Sequence, residues 1–82
     1  MPTYLDHHTM PALSEEMKQG MAERIRSGQP DENGAKALNV YLADGEAYCL
    51  SEAPSAEAVV LAHRAAGVSL RPEDVREVTA IA

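Results

Sequence analysis

Asp44-Gly45 stands between two segments whose apolar residues alternate, and this dipeptide constrains the fold more than any other feature of the chain. Both central residues of a type I′ turn need positive φ, which glycine takes freely and aspartate tolerates. Ahead of it, Leu38, Val40 and Leu42 alternate with Asn39 and Tyr41, as a half-buried strand requires. A two-residue loop then sets the pairing, with Leu42 opposite Ala47, Tyr41 opposite Tyr48 and Val40 opposite Cys49. On this register Ala47, Cys49 and Ser51 lie under the helices. Tyr48, Leu50 and Glu52 share the other face with Asn39 and Tyr41.

The remaining elements follow from local signals. Thr3 to His8 reads as a short first strand around Leu5, ended by Pro11, which cannot donate to a ladder. Ser14 caps a helix that opens with Glu15 and Glu16 at the positive end of its dipole, carries Met17, Met21 and Ile25 as an apolar stripe, and stops at Ser27-Gly28-Gln29-Pro30. Pro54-Ser55 opens a second helix with Val59, Ala62, His63 and Ala66 on one stripe and Gly67 at its end. Arg71 to Asp74 turns the chain into a last segment, Val75 to Ala82, with Val78 and Ile81 as its apolar residues. Strand, helix, strand, strand, helix, strand is the split β-α-β order of an α+β, ferredoxin-like domain, a four-stranded antiparallel sheet with two helices on one face. Its first and third strands are central neighbours.

Eighty-two residues make a single domain, 1–82, because so short a chain cannot divide its apolar content between two cores. Domains of this size usually need a staple or a partner, and one cysteine closes no internal disulfide. A homodimer through the helix-free sheet face is therefore expected. The formal charge of −6 argues against nucleic acid and anionic membrane surfaces as partners and favours cations. The start, MPTYLDHH, has neither a basic segment nor an apolar run, and no stretch has the length of a membrane span, so a cytoplasmic location is expected.

The chemistry concentrates in Tyr4-Leu5-Asp6-His7-His8, where two of the three histidines are adjacent. On an extended segment Tyr4, Asp6 and His8 project together while Leu5 and His7 project the other way. The polar set is expected on the helix-free face and His7 toward the helices, where it can meet His63. Asp6 with His8 supplies a carboxylate and an imidazole, which suit Ni, Zn, Cu or Fe better than Mg or Ca. A hydrogen-bonded His-Asp pair at a dimer interface is the plainer alternative. For His63 the two readings are a ligand beside His7 and a buried, hydrogen-bonded histidine completing the helix stripe. Cys49, between buried neighbours, reads as a small hydrophobe. Glu52 is a candidate ligand, general base or cap for the second helix, with Ser55 competing for the last role.

The run Ala47-Tyr48-Cys49-Leu50-Ser51-Glu52-Ala53-Pro54-Ser55-Ala56-Glu57-Ala58-Val59, followed by His63-Arg64-Ala65-Ala66-Gly67, resembles a family of small bacterial ferredoxin-like proteins. That family, largely without assigned function, is typified by an actinobacterial nickel-binding protein. Asp6-x-His8 matches its nickel-binding branch. The resemblance implies a dimer with open sheet faces opposed and nickel, Ni(II), held by N-terminal histidines, which points to Asp6, His7 and His8, and further to Tyr4 and His63.

Three functions are then expected in order. The first is binding or sequestration of a first-row divalent transition metal through Asp6, His7, His8 and His63. The second is an enzyme with a small-molecule cavity between opposed sheets, lined by Tyr4, Tyr41, Tyr48 and Glu52, with His8 as acid/base; related dimeric barrels use such cavities for isomerase or monooxygenase chemistry. The third is an interaction module without metal. No phosphate-cradling glycine loop, nucleophile elbow or redox pair is present in the sequence.

Overall fold

The computed structural model describes residues 1–10 and 12–81. Four strands form one antiparallel sheet in the order β2-β3-β1-β4: β1 (Thr3–Thr9), β2 (Lys36–Ala43), β3 (Glu46–Glu52) and β4 (Val75–Val78). Helices α1 (Glu15–Ser27) and α2 (Ala56–Ala65) occupy the expected places in the chain, giving the ferredoxin-like α+β fold. Pro11, expected to end the first strand, lies outside the described residues, as does Ala82. Among the described residues no helix is long and apolar enough to cross a membrane.

The hairpin forms as its turn chemistry requires. Asp44 and Gly45 take φ of 53° and 77°, and Leu42, Tyr41 and Val40 pair with Ala47, Tyr48 and Cys49. A register shift between Ala37 and Asn39 interrupts the alternation of β2 at Leu38. The last strand is shorter than the sequence suggested, ending at Val78 and leaving Ile81 fully exposed.

The two helices are capped alike and packed differently. The Ser14 and Ser55 hydroxyls each accept the amide three residues on, at 3.2 Å in both helices. At the end of α2, Gly67 (φ 83°) lets the amides of Gly67 and Val68 reach the carbonyls of Arg64 and His63. Val59 and Val60 of α2 are buried against Tyr4, Ala53, Leu70 and Val75, and this cluster is the core. By contrast α1 contributes no buried residue, and Met17, expected in a buried stripe, is exposed. The core thus lies between α2 and the two central strands.

That packing decides the faces of β1, and it reverses the expectation. Tyr4 and Asp6 are buried under α2, and His8 lies on the same face, whereas His7 is on the open side. Strand alternation shows which residues share a face but not which face a helix covers. The Tyr4 ring fills the core beneath Val59, so Asp6 and His8 follow it inward. Tyr4 therefore cannot line a cavity on the open sheet with Tyr41 and Tyr48.

Candidate metal centre

β1 and β3 pair in a register that sets Asp6 directly across from Cys49, and His8 across from Ala47. Both central strands thus send polar side chains toward α2 at the same level. From above, α2 lowers His63, one turn beyond Val59 on the stripe that faces the sheet. Asp6, His8, Cys49 and His63 consequently bring one potential ligand atom each to a common point, all within 4.8 Å of one another.

Asp6 is the centre of this group and is 1% exposed. Its Oδ1 takes both imidazoles, His8 through Nδ1 at 3.1 Å and His63 through Nε2 at 3.2 Å. The His63 tautomer follows from its other contact. Nδ1 lies 2.8 Å from the Val59 carbonyl, which can only accept, so Nδ1 carries a proton and Nε2 is directed at the carboxylate. The two rings meet edge to face with centroids 5.2 Å apart.

Burial is the largest single influence on His63 and disfavours its charge. The hydrogen bond to Asp6, the nearby Cys49 sulfur, the Asp6 charge and the Val59 carbonyl together outweigh it, and the His63 pKa is pushed up to about 10. The balance favours a protonated His63 clamped on the buried Asp6 side chain.

The clamp is incomplete. Asp6 Oδ2 and His8 Nε2 are buried with no hydrogen-bond partner among the described residues. Buried polar atoms without partners are rare, because each costs about 1–3 kcal/mol of desolvation. A site that keeps two such atoms beside two further donors is suited to an ion. Donors on one metal lie at most about 4.4 Å apart, the sum of ~2.1 Å metal–nitrogen and ~2.3 Å metal–sulfur bonds. Four donors arranged tetrahedrally on one ion lie about 3.6 Å apart, so the widest spacing here closes on an ion with a shift of about an ångström.

Other residues expected at the site are placed elsewhere. His7 does not meet His63; it stacks on Tyr48 with ring centroids 4.7 Å apart, and its Nε2 lies 2.9 Å from Glu46 Oε1. Glu52 faces the open side, 3.7 Å from Lys36 Nζ, and leaves the capping of α2 to Ser55. Tyr41 and Tyr48 pair across β2 and β3 on the open face, as the register requires. Cys49, read from the sequence as a small hydrophobe, joins the donors. A cleft of about 470 Å³ between the end of β1 and the turn after α2 is lined by His8, the one member of this group that it reaches, with Glu46, Ser69 and Arg71 among others.

Residues 4–78 match the family described as nickel responsive protein SCO4226-like. The chain belongs to this family. It is also similar to SCO4226 from Streptomyces coelicolor A3(2), whose crystal structure superposes with a TM-score of 0.69 at 30% sequence identity. That likeness covers 98% of this chain and 99% of the other, so the whole ferredoxin-like fold is shared. A comparison with curated proteins gave no match. The resemblance read from Ala47–Val59 and His63–Gly67 thus holds along almost the entire chain.

Proposed function

We propose that this protein binds a first-row divalent transition metal, nickel foremost, through Asp6, His8 and His63. The observation that carries this reading is the pair of buried, unpartnered atoms, Asp6 Oδ2 and His8 Nε2, in a cluster that already gathers two imidazoles on one carboxylate. A bound divalent ion supplies, in place of the His63 proton, the positive charge that the buried carboxylate needs. Nitrogen donors from two histidines favour late first-row metals, and membership of a nickel responsive family directs the choice to nickel. The family name fits binding or sequestration better than catalysis.

Thermal unfolding of chelator-stripped protein, with and without Ni(II), Co(II) or Zn(II), tests this. A ligand at a hundredfold its Kd stabilises by about 2.7 kcal/mol, so the melting temperature is expected to rise by several degrees. The His8→Ala/His63→Ala variant should show no rise. A wild-type melting temperature unmoved by any of the metals would end the metal reading.

The open sheet face is where we place a second copy of the chain. Leu5 pairs with Leu50 there, and Tyr41, with 54% of its surface exposed, lies beside Tyr48. Apolar surface of this kind on so small a domain suits an isologous interface. Sedimentation equilibrium should return a dimer, and Tyr48→Glu should return a monomer.

A further inference from the structure

Cys49 is the one member of the cluster that the proposal above does not use. It is buried on a central strand, where a thiol ordinarily does no more than pack. Its surroundings here are not apolar. Asp6 lies across from it in the ladder, with Oδ2 lacking a partner among the described residues at 1% exposure; His8 Nε2 is likewise unpartnered among them; and His63 is near enough for the sulfur to bear on its charge. The Cys49 sulfur is within 4.8 Å of a donor atom from each of these residues.

We propose that Cys49 ligates the metal as a thiolate, and that this sulfur makes the site selective for borderline and soft divalent ions, Ni(II), Co(II) and Zn(II), over Mn(II), Mg(II) and Ca(II). The inference rests on the metal-binding reading and specifies the class of ion. Softness is the first argument: thiolate favours nickel, cobalt and zinc, whereas carboxylate with water suits the hard ions. Charge is the second. A divalent ion held by Asp6 and two neutral imidazoles alone leaves one uncompensated positive charge in the core, and the Cys49 thiolate removes it. As the metal–sulfur bond forms, the thiol proton passes to solvent, as does the His63 Nε2 proton when that nitrogen binds. No electron is transferred.

Chelator-stripped protein titrated with Co(II) and Ni(II) and followed by near-ultraviolet absorption tests this, because a thiolate ligand gives a sulfur-to-metal charge-transfer band that histidine and carboxylate ligands do not. The wild type should develop the band to saturation at one equivalent. Cys49→Ser should lose the band and bind Co(II), Ni(II) and Zn(II) more weakly by at least the ~10–100-fold that loss of even an outer metal partner costs, with Mn(II) affinity little changed. The wild-type band needs no variant, so a folding defect in Cys49→Ser would not hide the result. Metal bound without the band, at an affinity that Cys49→Ser leaves unchanged, would overturn thiolate ligation and leave the histidine–aspartate site standing. No binding by the wild type would overturn both.

Discussion

His7 and His8 are consecutive residues of one strand in opposite environments. His7 is on the open face, where its ring lies flat on Tyr48 and its Nε2 contacts Glu46, with both side chains in reach of water. His8 is under α2, with one nitrogen on a buried carboxylate and the other with no partner among the described residues. An exposed imidazole satisfied by a surface carboxylate and an aromatic face needs no further explanation. A buried one left half-satisfied does, and that difference separates a solvated histidine from a ligand better than sequence position.

The most direct way to break the comparison is to remove the group that makes the inner side polar. Asp6→Ala leaves His63 and His8 without the carboxylate they lean on, and loss of one partner from a buried pair typically costs about 3–5 kcal/mol. Urea denaturation of metal-free protein should show a loss of that order. Replacing both members, Asp6→Leu with His63→Leu, should cost less than Asp6→Ala alone, since no buried charge is then stranded. Equal or greater loss in the double variant would mean the pair stabilises the fold outright.

The second effect depends on pH. With its folded pKa raised from 6.5 to about 10, His63 contributes stability that is fully present below about pH 6.5 and is lost as the pH rises through about 10. Metal-free wild type should therefore lose stability across that window, and His63→Gln should flatten the profile. Nickel affinity should move the opposite way and rise over the same range, because the ion needs the Nε2 lone pair that the proton occupies. Parallel slopes would show that proton and metal do not compete for this imidazole.

The smallest effect belongs to the outer side. His7→Ala removes an exposed contact with Glu46 and a surface stack, together worth about 1 kcal/mol or less, and should leave the pH profile of stability unaltered. A larger cost would mean that His7 is covered in solution, as a dimer through the open face would require.

The fold was legible because its signals are local. Asp44-Gly45 carries the hairpin register, Ser14 and Ser55 the helix starts, and Gly67 the end of α2, each through chemistry within a few residues. Which face of β1 is covered was not legible in that way. Asp6 and His8 are polar, and the usual preference sends such residues outward; only tertiary packing of Tyr4 beneath Val59 turns them in. The same error concealed Cys49. The sequence placed it under the helices correctly, and once β1 is turned over, Asp6 falls across from it and His63 above. For α1 the stripe Met17-Met21-Ile25 implied burial, but Met21 and Ile25 are only half-buried and Met17 is exposed, since periodicity reports which residues share a face and not how closely another element approaches it.

The contrast between the two histidines is tested most directly by isothermal titration of Ni(II) into chelator-stripped wild type, His7→Ala and His8→Ala. Stoichiometric binding kept in His7→Ala and lost in His8→Ala is the expected result. Binding lost in His7→Ala and kept in His8→Ala would contradict it and move the metal to the open face.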